Sequence, residues 1–216
     1  MNLTYCPLCD QPQADDAPVF ARDARREYRR CEHCLLVWVP PAFHLSPARE
    51  KAEYDRHENT PGDPGYRRFL SRLAGPLMNC LAPGASGLDF GCGPGPTLAV
   101  MLEEYGCRMA LYDVFYRPDT GVLQRRYDFI TATEVVEHLH RPGEELGRLW
   151  RLLRPGGVLG IMTKRVTGRE AFLRWHYKND PTHVGFFSDA TFTWWAAQHG
   201  ARLALPGADT ALLFKG

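Results

Sequence analysis

A glycine-rich turn between an apolar strand and a helix restricts the fold of this chain more than any other feature. The turn reads Leu-Asp-Phe-Gly-Cys-Gly-Pro-Gly over residues 88–95, and Pro96 follows at a position suited to a first helical turn. Glycines let the backbone pass close to a ligand, and the next helix N-terminus offers unpaired amides to a carboxylate. A nicotinamide-binding G-x-G-x-x-G loop counted from Gly91 would need glycine where Pro96 stands, so that cofactor is disfavoured. A tight turn without a ligand remains the alternative.

Strand and helix patterns alternate from Ser86 onward, which is typical of a parallel sheet with crossover helices. The predicted strands are Gly87–Phe90, Met109–Tyr112, Phe129–Thr133, Val158–Met162, Arg202–Leu205 and Ala211–Phe214. Helices between them are predicted to begin near Pro96, Gly143 and Asp189. The expected fold class is therefore α/β.

An apolar stripe at helical spacing predicts one more helix ahead of this region, beginning at Tyr66 and ending at Pro83 and Gly84. The stripe consists of Phe69, Leu70, Leu73, Leu77 and Leu81. Residues 41–63 before it mix prolines with polar residues and read as a linker, with one helical piece near Ala48 to Asp55. The predicted division is thus a small unit over 1–40, this linker, and an α/β domain over 64–216.

Two Cys-x-x-Cys pairs, Cys6 with Cys9 and Cys31 with Cys34, are separated by 21 residues near the N-terminus. Each pair turns two thiolates toward one point, and two pairs complete the tetrahedral sulfur shell that Zn²⁺ prefers. A redox pair or unrelated free thiols are the alternatives. With four thiolates filling the shell, His33 is expected to be exposed, and Cys80, Cys92 and Cys107 to be packing residues. The sequence predicts a zinc ribbon over residues 1–40.

Charge gives little reason to expect a polyanionic partner, because 26 basic residues face 25 acidic ones. The first sixty residues carry eight Lys or Arg against ten Asp or Glu. No apolar run reaches the length of a membrane span, and the N-terminus shows no basic region followed by an apolar stretch. The expectation is a cytoplasmic protein with no membrane contact, for which nucleic acid is an unlikely partner.

The glycine-rich turn resembles motif I of class I S-adenosylmethionine (SAM)-dependent methyltransferases, in which an acidic residue precedes x-G-x-G-x-G. Two later segments, residues 127–139 and 152–159, resemble the family's E-H-L segment and its L-L-x-P-G-G turn. The resemblance implies SAM as the cofactor, a Rossmann-like sheet over residues 64–216, and a second acidic residue for the ribose. The cofactor contacts that it implies or that lie at the same strand ends are Asp89, Gly91, Gly93, Gly95, Asp113, Thr133 and Glu134.

One departure from the family pattern concerns the segment after the second strand. Only fourteen residues separate Asp113 from Asp128, where the family usually fits a helix, a third strand and an acidic contact to the adenine. The third-strand region is therefore expected to be shortened or missing. Asp119 and Thr133 are weak candidates for the adenine contact.

The acceptor side is predicted from the carboxyl ends of the strands, where ligands of open α/β sheets bind. Glu137 and His138 match the family's E-H pair, and the loop over residues 175–188 resembles a stretch that covers the acceptor in relatives acting on small molecules. Glu137, His138, Tyr177 and His183 are the candidates for proton removal or acceptor orientation. Structural roles for each are the alternative, and Phe192, Trp194 and Trp195 are expected to be core residues.

A small-molecule methyltransferase is the favoured function. The ribbon ahead of a SAM domain resembles the arrangement in sugar C-methyltransferases of deoxysugar pathways, which are longer. An RNA methyltransferase is the second candidate, supported by five arginines between the cysteine pairs: Arg22, Arg25, Arg26, Arg29 and Arg30. A catalytically silent SAM-fold protein whose ribbon binds a partner is the third.

Overall fold

The N-terminal part of the chain is built from short strands around the two cysteine pairs. The computed structural model describes residues 3–14, 18–56 and 60–216. The first strands are β1 (Leu3–Tyr5), β2 (Pro12–Ala14), β3 (Ala21–Arg22), β4 (Glu27–Arg30) and β5 (Val37–Trp38). Two antiparallel pieces result, β1 with β2 and β3 with β4 and β5. Residues 1, 2 and 15–17 of the predicted ribbon and residues 57–59 of the predicted linker lie outside the described residues.

Two helices connect this part to the main sheet. Helix α1 (Pro47–Tyr54) confirms the helical piece predicted in the linker. Helix α2 (Pro64–Met78) begins where the Asp63 side chain accepts hydrogen bonds from the amides of Gly65 and Tyr66. Its buried face carries Leu70, Leu73 and Leu77 of the predicted stripe. The helix ends at Met78, so Leu81 of the stripe and the predicted stop at Pro83 lie beyond it.

The main sheet has six strands and confirms the α/β prediction. These strands are β6 (Ser86–Phe90), β7 (Arg108–Tyr112), β8 (Tyr127–Thr133), β9 (Leu153–Met162), β11 (Arg202–Gly207) and β12 (Thr210–Phe214), with β10 (Gly185–Phe186) in another sheet. Their order is β11-β12-β9-β8-β6-β7. Strands β7, β6, β8 and β9 run parallel to one another. Strand β12 pairs antiparallel with β9, and β11 pairs antiparallel with β12. The parallel strands therefore bring their carboxyl ends to one edge.

Strand β9 begins five residues before the predicted Val158. The difference has a local cause, because the amide of Gly156 donates to the carbonyl of Lys215, and the amide of Lys215 donates to the carbonyl of Gly157. These bonds extend the pairing through the Pro-Gly-Gly segment that the sequence predicted as a turn.

The remaining helices are α3 (Thr97–Glu104), α4 (Pro142–Leu152), α5 (Arg169–Leu173) and α6 (Asp189–Gln198). Three of them begin at or next to the predicted residues. Phe192 and Trp195 of α6 are buried as predicted, and the half-buried Trp194 packs edge-on against the exposed His33. Among the residues that the structure describes, no helix combines the length and apolarity that crossing a bilayer requires.

The segment between β7 and β8 confirms the shortened third-strand region. Residues 114–126, all described, contribute one bridge between Asp113 and Arg117 and a 3-10 turn over Thr120–Gln124. The Tyr127 hydroxyl donates to the carbonyl of Val122 at 2.7 Å and fixes this turn against the sheet. Strand β7 is consequently the last strand on its side of the sheet.

The cysteine-containing part is joined to the loop after β9 by backbone pairing. Strand β10 pairs antiparallel with β5 and extends the small sheet to the order β10-β5-β4-β3. Tyr28, Phe172 and Phe186 pack edge-to-face beside it, with ring centroids 4.9 to 5.9 Å apart. The division into parts at residues 40 and 63 stays a prediction. The small sheet combines β3, β4 and β5 of the predicted ribbon with β10 of the predicted α/β domain.

Candidate active site

The glycine turn after β6 contains two residues in the left-handed region. Gly91 has φ +74°, and a Cβ there would lie 2.4 Å from Cγ2 of Val135. Gly93 has φ +63°, and a Cβ there would meet nothing within 4 Å. Packing therefore requires glycine at 91, whereas glycine at 93 keeps space open beside the turn. Gly95 follows, and its carbonyl accepts the amide of Thr97 where α3 begins.

These two glycines give a matched pair of substitutions with different expected results. Gly91→Ala should lower the free energy of unfolding by about 3 kcal/mol, since it adds a clash with Val135 to the left-handed backbone penalty. Gly93→Ala should cost only about 1–2 kcal/mol but place a methyl group in the open space. Urea unfolding and SAM calorimetry measure the two effects. If both variants lost the same stability and Gly93→Ala bound SAM like wild type, residue 93 would not lie beside the cofactor.

Asp89 lies at the end of β6 with its side chain inside the protein. Its Oδ1 accepts a hydrogen bond from the Thr131 hydroxyl at 2.7 Å. Burial raises the pKa of Asp89 to about 6, and the nearby charge of Asp113 acts in the same direction. A buried carboxylate that is ionised at neutral pH favours a cationic group beside it.

Asp113 ends β7 and ties the glycine turn to its neighbouring strand. One of its oxygens accepts from the amide of Gly93 at 3.0 Å, and the other accepts from the amides of Phe115 at 2.8 Å and Tyr116 at 3.0 Å. A carboxylate offers about four acceptor positions, so capacity remains for a ligand hydroxyl. The side chain lies at the predicted strand tip.

The two candidates for the adenine contact occupy different surroundings. Asp119 is exposed, and its side chain accepts from the amide of Gly121 at the start of the 3-10 turn. Thr133 ends β8, and its hydroxyl is buried with no hydrogen-bond partner in the described structure. An orphaned hydroxyl at the ligand edge of the sheet fits a cofactor contact.

Glu134 and Glu137 form the carboxylate part of the acceptor side. Glu134 has φ +52°, and its amide donates to the carbonyl of Met162 in the neighbouring strand β9. Burial raises the pKa of Glu134 to about 7 and the pKa of Glu137 to about 8. The negative charge of Glu134 also contributes to the raised pKa of Glu137. The Tyr177 hydroxyl donates to Glu137 and lies 3.3 Å from Oε2 of Glu134. Burial also raises the pKa of Tyr177, so this hydroxyl keeps its proton.

The two predicted histidines lie side by side. His138 and His183 have ring centroids 4.6 Å apart at an interplanar angle of 71°. His183 Nδ1 is 2.7 Å from the carbonyl oxygen of Tyr177. Burial lowers the pKa of His183, which keeps its imidazole neutral at pH 7. The structure thus brings the four predicted acceptor-side residues together at the end of β8.

Three tyrosines near this edge were missed by the sequence analysis. Tyr54 of α1 packs against His138 at 5.3 Å and against Phe115 at 5.8 Å between ring centroids. Tyr66 of α2 is close enough to Asp89 and Glu134 for their charges to raise its pKa, although burial is the main cause. Tyr116 donates to Asp55 at 2.6 Å. Helix α1 consequently spans from the loop after β7 to the residues after β8, a placement that no local pattern encodes.

The four cysteines of the N-terminal pairs converge. Sγ of Cys6 is 3.4 Å from that of Cys34, Sγ of Cys9 is 3.5 Å from that of Cys31, and all four lie within 4.8 Å. A tetrahedral Zn²⁺ with bonds of about 2.3 Å separates its sulfurs by about 3.8 Å. Both turns are closed alike, Asp10 donating to the Cys6 carbonyl and Leu35 to the Cys31 carbonyl. The donor set and its spacing fit zinc.

A cavity of about 400 Å³ lies between the first cysteine turn and the start of α4. Its polar lining includes Asp10, His44, His140, Arg141 and Glu144. None of the predicted cofactor or acceptor-side residues lines it. We therefore place the candidate active site at the strand ends, where the glycine turn and the acidic residues meet.

Comparisons with known proteins agree with this fold. A family model described as a methyltransferase domain matches residues 54–204. An O-methyltransferase family protein from Burkholderia thailandensis is 14% identical with a TM-score of 0.50, over 80% of this chain and 62% of its own. The N-methyltransferase NodS from Bradyrhizobium japonicum is 18% identical with a TM-score of 0.48, over 72% of this chain and 98% of its own. No curated protein sequence matches the chain.

The fold and the family match define a class I SAM-dependent methyltransferase. The chain belongs to the methyltransferase-domain family, whose model covers well over half of its residues.

Proposed function

We propose that the protein transfers the methyl group of SAM to a small-molecule acceptor bound at the carboxyl end of β8. The observation that carries the proposal is the cluster of Glu134, Glu137, Tyr177 and His183 at the end of β8, the strand that pairs with β6 and its glycine turn. Val135, between the two glutamates, contacts the turn at Gly91. Cofactor and acceptor groups are thereby adjacent.

At the cofactor end, SAM would supply a methyl group on a cationic sulfonium. Support comes from the open space at Gly93, the orphaned hydroxyl of Thr133 and the two acidic strand ends. We assign Gly91, Gly93 and Gly95 to the close backbone approach and Asp113 to the ribose. The remaining cofactor contacts in the proposal are Asp89, Thr133 and Glu134.

At the acceptor end, the protein's own residues orient the acceptor and remove its proton. Glu137, His138 and His183 face the acceptor in this proposal. Tyr177 stays protonated and holds Glu137 through its hydroxyl. As the acceptor atom bonds to the methyl carbon, the carbon–sulfur bond breaks and its electron pair returns to sulfur.

Burial supports a small acceptor over RNA. Tyr177 and His183 are each 7% exposed and Glu137 is 0% exposed, so a small reactive group fits better than a polymer surface. Arg26, one of the five arginines that favoured RNA, is 6% exposed and donates to backbone carbonyls of the loop after β9. Arg22 is paired with Glu27. Two of the five arginines are thus already bound within the protein, which leaves fewer positive charges to contact a phosphate backbone.

We also assign Zn²⁺ to Cys6, Cys9, Cys31 and Cys34, with the ribbon over residues 1–40 as a structural unit and residues 41–63 as its linker to the domain over 64–216. None of the four cysteines forms a disulfide in the described structure, which leaves all four available for metal binding.

Transfer of labelled methyl from SAM into fractionated cell extract tests the proposed acceptor class. We expect label in the metabolite fraction and none above background in RNA or protein. Label that follows RNA would overturn the small-molecule proposal. SAM binding by calorimetry without any transfer would instead favour the silent, partner-binding alternative.

A further inference from the structure

We infer that Glu137, His138 and His183 form a binding site for a divalent cation of the Mn²⁺ type, separate from the four cysteines. Their donor atoms all lie within 4.8 Å of one another. A first-row ion with bonds of about 2.1 Å holds neighbouring donors about 3 Å apart, so small side-chain shifts close the site. One carboxylate and two imidazoles are a donor set that such ions accept.

The Glu137 carboxylate gives an independent indication of a missing partner. The residue is 0% exposed, and one of its oxygens accepts from the Tyr177 hydroxyl. The other oxygen, Oε2, is buried and has no hydrogen-bond partner in the described structure. A buried, unpaired carboxylate oxygen is costly, and a cation beside it would remove that cost.

His183 is held in the form that binds metal. A carbonyl oxygen only accepts hydrogen bonds, so the 2.7 Å contact places the proton on Nδ1 of His183, donating to Tyr177. Its Nε2 then carries the lone pair, and the nearest carboxylate oxygen, on Asp180, is 3.8 Å away. Histidines that bind metals commonly donate their other ring nitrogen to a carbonyl in this manner.

Tyr177 therefore orients two of the three donors at once, Glu137 through its hydroxyl and His183 through its carbonyl. His138 completes the group by lying against His183, with Tyr54 packed edge-on against its ring. The surrounding charge also suits a cation, since Asp180 and Glu134 add negative charge near the three donors. The opposing positive charge is that of Lys164, which lies above the Tyr177 ring. We call Tyr177 a positioning residue, because it acts through the donors.

The consequence for chemistry rests on the proposed function. With the cation bound, these three side chains are ligands, and they would hold an acceptor oxygen through the ion. A bound cation lowers the pKa of such an oxygen, which favours a hydroxyl-bearing acceptor.

Mn²⁺ titration followed by electron paramagnetic resonance tests the site in the protein carrying a single equivalent of zinc, which the four thiolates bind first. Mn²⁺ prefers oxygen and imidazole donors over thiolates, so the four cysteines do not compete for it. Wild type should remove the free Mn²⁺ signal with one equivalent of sites. His183→Gln should weaken Mn²⁺ binding at least about 100-fold, and Tyr177→Phe about 10- to 100-fold, because outer partners tune metal affinity on that scale.

His176→Gln is the matched control, since this exposed histidine lies next to Tyr177 but outside the group. It should bind Mn²⁺ like wild type. SAM calorimetry on every variant verifies folding and separates the two proposals. Wild type that binds SAM but leaves the Mn²⁺ signal undiminished would overturn the cation site alone, as would a His183→Gln variant with wild-type Mn²⁺ affinity. Mn²⁺ binding without SAM binding would support the cation site and overturn the proposed function.

Discussion

Asp89→Asn should make the protein more stable at pH 8 while weakening SAM binding. Burial raises the pKa of Asp89 from 3.8 to about 6, so the folded state binds this proton more tightly than the unfolded chain does. That contribution to stability is fully present below pH 3.8 and is lost as the pH rises through 6. Asparagine carries no charge and still offers Oδ1 to the Thr131 hydroxyl. The gain at pH 8 should be on the order of 3 kcal/mol.

The loss of SAM affinity has a separate cause, because the same carboxylate balances the cationic cofactor in the proposed site. Removing one charged partner typically costs about 1.5–3 kcal/mol, which corresponds to roughly 10- to 100-fold in the dissociation constant. Urea unfolding at pH 4 and pH 8 and SAM calorimetry measure both effects. Asp119→Asn is the control, since Asp119 is exposed and lies at a turn. Wild-type SAM affinity in the Asp89 variant would refute the cofactor site.

A gain in stability together with a loss of SAM affinity is expected where a buried charged side chain destabilises the fold but is needed for binding. Asp89 and Asp113 lie at the ends of neighbouring strands, and the charge of Asp113 contributes to the raised pKa of Asp89. Both residues were named as candidates from the sequence. Asp89 stands just before the glycine turn, Asp113 follows the apolar run Met109–Tyr112, and parallel strands end at one edge. The cofactor half of the candidate site was thus predicted from the glycine turn together with the resemblance to motif I, and its contacts with SAM stay a prediction.

The acceptor half was predicted only in part. Glu137 and His138 follow β8 directly, and His183 belongs to a loop that the sequence placed near them. Tyr54, Tyr66 and Arg26 were not predicted as neighbours of this site. They come from segments far along the chain, and their positions depend on how α1, α2 and β4 pack. No repeat or periodicity in those segments records which partner they meet.

Arg26 illustrates this most directly. A run of arginines in a strand pattern predicts a solvated or nucleic-acid-binding face, yet Arg26 reaches across to residues 178–183. Its guanidinium donates to the carbonyls of Lys178, Asp180, Pro181 and His183. Tyr28, beside it, packs on Phe172 and Phe186 of the same region. The cysteine-containing part therefore supports the loop that carries Tyr177 and His183.

Loss of the zinc site should consequently abolish methyl transfer while leaving SAM binding nearly intact. Cys34→Ser removes one of four thiolates, and a structural zinc contributes on the order of 10 kcal/mol to folding of its unit. Strand β5 begins shortly after Cys34 and pairs with β10, so disorder of the cysteine turns releases β10 and the carbonyls held by Arg26. The glycine turn follows β6 of the other sheet, and its contacts to Asp113 and Val135 involve no residue of the cysteine-containing part.

The measurements are zinc content, SAM calorimetry and methyl transfer on the acceptor fraction. Cys34→Ser should lose its zinc and at least about 100-fold in transfer rate, equivalent to about 2.7 kcal/mol in the barrier. Cys80 is exposed, so its prediction as a packing residue was wrong, and it provides the control. Cys80→Ser should match wild type in all three measurements. Arg26→Gln keeps the thiolates but removes the bonds to the loop, so it should retain zinc and SAM binding while slowing transfer. Full transfer activity in zinc-free Cys34→Ser would show that the acceptor loop is positioned without the ribbon.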